Sequence, residues 1–248
     1  MNEVEPQSKT PIQLSLRDLF IGTAAIAVVL WLNRWVNSPR SLSLSMFVSL
    51  TISLTQATGV WACCYFAWRW WRKVPTDFQP GHWLLCLLGF LFVLLAIEQR
   101  LQSWLFVSFD TVTEEVLTTM SYPFLVVVLR HLLFLAVGLI LPVRWPWRFL
   151  LLSPLLEMAA TAYLFYALQS MTASSSLPEI SRFASTMRSA ELAMQVGAGL
   201  SVLLLIALAI WDRWTAPTSR DWLHWIGCVM MFLYFTLTLF VRLRLFGG

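Results

Sequence analysis

Arg130, His131 and Glu157 are the residues of this chain best placed to do chemistry, because each interrupts an apolar stretch of membrane-crossing length near its centre. A charge at the middle of a membrane helix costs ~2.5–3.5 kcal/mol on insertion scales, so such residues are kept for a reason and face a bundle interior or a wet cavity. The connection Pro142-Val143-Arg144-Trp145-Pro146-Trp147-Arg148 is short enough to fold the two stretches into an antiparallel hairpin. A fold near residue 145 sets Arg130 opposite Ala160, one helical turn from Glu157, a gap of ~4.5 Å along the axis that an arginine can close. The expectation is a buried Arg130–Glu157 pair with His131 at its edge, ~100° further around the helix. It serves either as a structural ion pair that fixes register or as part of a substrate or proton path.

Other chemistries find little support. His82 and His224 lie near the ends of apolar stretches, and no His-Glu-x-x-His or other ligand spacing occurs, so no metal site and no cofactor is expected. The four cysteines, Cys63, Cys64, Cys86 and Cys228, fall within apolar stretches without a Cys-x-x-Cys, the pattern of buried free thiols. Gly-x-Ser-x-Gly and phosphate-cradling glycine loops are missing from the sequence. Glu114-Glu115 is similar to the glutamate pair of intramembrane CAAX-type proteases, but Thr119 stands where that family has arginine and Val128 where it has phenylalanine. No enzyme activity is expected on these grounds.

The elements that must position these residues are helices in a bilayer. The chain of 248 residues is 58% hydrophobic and 12% charged, about half the ~25% charge of a soluble domain. Of its fourteen tryptophans only Trp61 lies well inside an apolar stretch, and the rest gather at the ends, among them Trp31, Trp35, Trp68, Trp70, Trp71, Trp211, Trp214, Trp222 and Trp225. Indole rings favour the headgroup level, so they mark bilayer edges independently of hydropathy. The predicted fold class is all-α, a polytopic transmembrane helical bundle. About seven spans are expected, near 19–36, 42–68, 82–97, 122–141, 149–168, 192–211 and 222–241, forming one domain over 19–248 after a polar, disordered tail at 1–18. Interfacial helices are expected near 98–109 and 177–190. The second begins at a capping box, Ser176-x-x-Glu179, in which the serine oxygen accepts from a free backbone N–H.

Gln13-Leu14-Ser15-Leu16-Arg17-Asp18-Leu19-Phe20 resembles the Phe-Ser-Leu-Arg-x-Leu-Leu segment that opens many bacterial multi-pass membrane proteins of unassigned function, without the leading phenylalanine. The resemblance implies a bacterial inner (cytoplasmic) membrane and transfers no activity. Pro39 blocks signal cleavage after Ser38, which favours a retained first helix. The net charge of +4 is scattered in twos and threes beside span ends, so it reads as membrane anchoring and no nucleic-acid partner is expected. The basic residues divide almost evenly between the two sides, with a slight excess that puts the N-terminus inside.

Two faces of small residues complete the reading. Ser45, Ser49, Ser53 and Ala57 recur every fourth residue on the second span, and Ala193, Gly197 and Ser201 do so on the sixth. Such spacing lets helix backbones approach closely. On the second span it could instead line a polar conduit. The partners expected are therefore the lipid bilayer and other membrane subunits or a second copy. The expected function is that of a structural or accessory subunit of a membrane assembly, with a small transporter or channel using Arg130, Glu157 and His131 as the alternative.

Overall fold

The computed structural model describes residues 20, 22–24, 27, 44–74, 76–107, 114–173, 177–215 and 220–246. The polar tail at 1–18 lies outside them, as do most of the first expected span and residues 108–109. The described residues are all-helical, without a strand. We name the helices α1 (Leu44–Trp71), α2 (Pro80–Val107), α3 (Glu114–Ile140), α4 (Leu152–Ala173), α5 (Leu177–Thr215) and α6 (Trp222–Phe246), with a 3-10 helix, η1, at Trp145–Leu151.

Local sequence sets the boundaries. Past α1, Val74 N–H donates to Arg69 O and Lys73 N–H to Trp70 O, a Schellman closure in which Lys73 takes the left-handed position with φ of 53°. Pro80 opens α2, where its missing N–H costs nothing, and the N–H groups of His82 and Trp83 both return to Gln79 O. Pro142 follows the end of α3, and Pro146 sits in the first turn of η1. Helix α5 begins at Leu177, immediately after Ser176, and runs unbroken for 39 residues. The stretches expected as interfacial helices thus continue their neighbouring spans: 98–107 belongs to α2 and 177–190 to α5.

Helices α2, α3, α4, α5 and α6 pack in a closed ring in that order, and α1 lies outside it against α2 and α6. Helices α2, α4 and α6 run one way; α1, α3 and α5 run the other, as follows from the short connections between neighbours, the Gly81–Gly227 contact that brings the starts of α2 and α6 together, and the Asp212–Arg220 pair that joins the end of α5 to the start of α6. A Cβ on Gly59 would fall 2.6 Å from Gly89 N, so α1 and α2 touch backbone to backbone. The same holds for α2 and α6, where a Cβ on Gly227 would land on the Gly81 carbonyl. Trp83, Leu84, Leu87 and Leu88 of α2 are fully buried, together with Trp147 of η1 and Leu205 of α5.

Among the described residues four segments are long and apolar enough to cross a membrane, Pro80–Leu101, Trp145–Ala167, Ala184–Thr215 and Trp222–Leu243, and Leu125–Ile140 is a shorter apolar helix. The first is 67% buried inside the protein while each of the other three is under 30% buried, so much of their apolar surface faces outward. Leu192, Val196, Leu203 and Ile206 of α5 are exposed. An apolar exterior of this extent suits lipid and not water. Helix α1 has the length to cross but is diluted by hydroxyls. Two of these, Thr55 and Thr58, are buried and donate to Ile52 O (2.7 Å) and Leu54 O (2.8 Å) of their own helix. At these two positions the hydroxyls are spent within the helix.

The expected small-residue faces are met in part. Ser53 and Ala57 are buried, and the side chains of Ser45 and Ser49 lie outside the described residues. Gly197 and Ser201 are buried, with Gly197 against Leu156 and Ser153 of α4. Ala193 is exposed and does not share that face, because the four-residue spacing drifts around a helix of 3.6 residues per turn.

Candidate functional site

The fold gathers ionisable side chains in two places, one at an end of the ring and one inside it. At the end, where α2 and α6 begin and α5 stops, Gln79, His82, Asp212, Arg220, Asp221 and His224 converge and are nearly all buried. Asp221 caps α6: its Oδ1 accepts from His224 N–H at 2.8 Å and also meets His82 Nε2 at 2.9 Å. The Gln79 N–H donates to His82 Nδ1 at 3.2 Å, so Nδ1 holds a lone pair and Nε2 carries the hydrogen given to Asp221. His224 repeats the arrangement. Gly81 N–H donates to its Nδ1 at 2.9 Å, and its Nε2 faces Asp212 Oδ2 at 3.5 Å.

Both imidazoles are therefore neutral and have both nitrogens occupied, which leaves neither free to accept a proton from a substrate. Arg220 grips Asp212 with two bonds of 2.6 Å, the fork geometry of a charge-assisted pair. Burial on its own would raise the Asp221 pKa, but the hydrogen bond from His82 and the His224 N–H hold it below the ordinary aspartate value. This end is a polar clasp that ties α2, α5 and α6 together. Among the described residues no three of His, Cys, Asp and Glu come together as metal ligands.

The second place is a cavity of about 150 Å³ inside the ring. One wall is apolar, with Trp83, Leu87, Phe134, Leu151 and Met231; the other carries Arg130, His131, Glu157, Tyr234 and Arg242. All three residues expected from the sequence thus line one cavity, but the pairing differs from the expectation. Arg130 Nη1 donates to Glu98 Oε2 of α2, while Glu157 accepts from Arg242 Nη2 of α6 at 3.1 Å and meets His131 Nε2 at 3.3 Å.

The reason is rotational. Neighbouring residues on a helix point ~100° apart, so one of Arg130 and His131 can face α4 while the other turns to α2. Here His131 takes the α4 side, within two residues of the expected register, and Arg130 takes the α2 side. Two partners were not singled out from sequence. Glu98 is embedded among Gln99, Arg100 and Gln102 and resembles a membrane border; Arg242 resembles a flanking anchor. The signal for Glu98 was its place on a helical stripe with Leu94 and Leu91, which faces the core.

The cavity sits deep relative to the clasp. Glu98 lies ~24 Å along α2 from His82, so the charged wall is nearer the opposite end of the ring. Among the described residues Arg130 Nε is buried without a hydrogen-bond partner and presents almost no surface to the cavity. A ligand oxygen in the open volume would instead meet the charged residues that line it, Arg130 and Arg242 among them.

Compared with known proteins, the chain matches no family model, no curated protein and no solved structure.

Proposed function

We propose that this chain is a multi-pass protein of a bacterial inner membrane that binds a small solute with a polar head and an apolar body in the cavity of its ring, as a small transporter or channel does. The first apolar stretch and helices α1 to α6 together make seven crossings, with the N-terminus inside. The bacterial setting is supported by the N-terminal Ser15-Leu16-Arg17-Asp18-Leu19 segment.

One observation carries the solute reading: about 150 Å³ of space lies between an apolar wall and Arg130, His131, Glu157 and Arg242. A purely structural ion-pair network would be closed around its charges, since a buried charge left short of partners is costly. Thermal unfolding in mild detergent tests it, with octanoate, octanol and octylamine as probes. Stabilisation by one of them, lost in a Leu87→Phe variant that fills the space, is the expected outcome. No stabilisation by any probe, together with a Leu87→Phe variant more stable than the parent, would mean that the cavity is a packing void.

The accessory-subunit reading is favoured by a different face. Leu192, Val196, Gly199, Leu203, Ile206 and Ile210 of α5 alternate at four and three residues, the spacing of a helix-pairing seam, and no atom lies within 4 Å of a Cβ built on Gly199. Native mass spectrometry of the protein released from its own membrane decides whether a partner or a second copy covers that seam.

A further inference from the structure

The geometry points to a bound proton held between His131 and Glu157, which gives the cavity a formal charge of +1 and fits it to an amphipathic monoanion such as a carboxylate. His131 Nδ1 lies 2.7 Å from Val127 O. A carbonyl oxygen can only accept, so Nδ1 carries a hydrogen. The other nitrogen, Nε2, lies 3.3 Å from Glu157 Oε2. A neutral imidazole with its hydrogen on Nδ1 would turn a lone pair toward a carboxylate that also offers lone pairs. The contact becomes attractive when one proton is added, as imidazolium with carboxylate or as imidazole with carboxylic acid; the proton count is the same in both.

The contrast with the clasp sharpens this. His82 and His224 each receive a backbone N–H at Nδ1; His82 gives Nε2–H to Asp221, and His224 Nε2 lies beside Asp212 and Cys228 Sγ, so neither needs an added proton. One backbone group, a carbonyl at His131 in place of an N–H, reverses the requirement. The side chain of His131 is buried, with 6% exposed, and its pocket is the charged wall of the cavity.

The charges facing His131 can be summed helix by helix. Helix α3 supplies Arg130, α4 supplies Glu157, and α6 supplies Arg242 and the phenol of Tyr234; Glu98 of α2 does not line the cavity but is counted as the ion-pair partner of Arg130, and among the described residues α5 places no charged group on the cavity. Two arginines against two glutamates cancel, and the added proton leaves +1. One monoanion neutralises that charge, and Arg130 and Arg242 line the space its oxygens would occupy. Binding is then reciprocal, with the proton strengthening anion binding and the anion retaining the proton. Anion and proton enter and leave together, with no bond made or broken other than to that proton.

The proton stands on the His131 contacts alone; the anion rests on the solute reading of the cavity. Two measurements keep them apart. The chain has three histidines, so nitrogen-15 NMR of the histidine-labelled wild type in nanodiscs at neutral pH resolves them without variants. Two neutral rings protonated at Nε2 are expected, and a third that is either doubly protonated or protonated at Nδ1 beside a carboxylic acid. Three neutral Nε2–H rings would overturn the proton, and so would a neutral Nδ1–H ring accompanied by a carbon-13 carboxyl signal showing Glu157 ionised.

For the anion, octanoate affinity should fall about tenfold as the pH is raised until the pair releases its proton, as the loss of one charge at close range implies. In His131→Gln the affinity should be weak and insensitive to pH. Octanoate binding that ignores pH in the wild type overturns the coupling. Absence of octanoate binding at any pH, with the third ring still carrying the proton, overturns the solute reading while leaving the proton in place.

Discussion

The backbone N–H of Gly81 donates to Nδ1 of His224 at 2.9 Å, joining two helices whose contact residues lie 143 apart in sequence. The bond needs the backbones to touch, and a methyl group on Gly81 would land on the His224 backbone. Gly81→Ala and Gly227→Ala should therefore abolish accumulation of folded protein. Gly199→Ala, where the added carbon meets nothing within 4 Å, should be neutral or stabilising by up to ~1 kcal/mol. Accumulation and detergent unfolding temperature measure all three. Equal tolerance at the three glycines would contradict the backbone contact.

Charge pairing inside the ring makes its own prediction. Removing one member of a buried ion pair costs about 3–5 kcal/mol because the other is left unpaired. Arg130→Ala should thus be strongly destabilising and partly rescued by Glu98→Ala, and Arg242→Ala should be rescued in part by Glu157→Ala. Pairing Arg130→Ala with Glu157→Ala should not rescue. Double-mutant cycles on unfolding temperature read the difference, and the partner that rescues identifies the pair.

Asp221 makes stability depend on acid. Its pKa is lower in the folded chain than the ordinary value of about 3.9. It therefore contributes stability that is fully present above that value and is lost as the pH falls through the depressed one. Between pH 5 and 8 this group should leave the unfolding temperature flat. Below the ordinary value stability should decline, and the decline should be shallower in Asp221→Asn. Identical acid slopes for both proteins would show that the clasp does not contribute this way.

Lys73 occupies a left-handed backbone position at the end of α1 that glycine adopts without steric cost. Lys73→Gly should raise stability by about 0.5–1 kcal/mol. A lower unfolding temperature would indicate that the lysine side chain is used.

How much of this was legible in the sequence varies by residue. Arg130, His131 and Glu157 could be found because a charge within an apolar stretch stands out, and all three meet at one cavity. Their partners could not be assigned, because a hairpin calculation sees two helices while the ring supplies four. Glu98 comes from α2 and Arg242 from α6, and each is masked in the sequence by polar neighbours at a span end. The clasp was hidden for a related reason. His82, Asp212, Arg220, Asp221 and His224 lie at the ends of three different helices, where charges are ordinarily solvated, and only the closure of the ring buries them. Of the glycine contacts, Gly59 lies two residues past Ala57 among the small residues of α1, but nothing at Gly81 or Gly227 in one sequence distinguishes a close approach from a simple turn or helix glycine.

The glycine contacts also decide which parts of the protein can shift. Helix α2 is held backbone to backbone by Gly59–Gly89 on one side and Gly81–Gly227 on the other, with no side chain between to slide or change rotamer. Helices α1, α2 and α6 should then behave as a single rigid post. Spin labels at Leu54 and Val229 should give one narrow distance, and labels at Leu132 and Leu203 a broader one that changes with octanoate. Any route from the cavity to either face of the bilayer then opens by rocking α3, α4 and α5 against that post, so the charges on α3 and α4, Arg130, His131 and Glu157, travel while Glu98 and Arg242 stay behind.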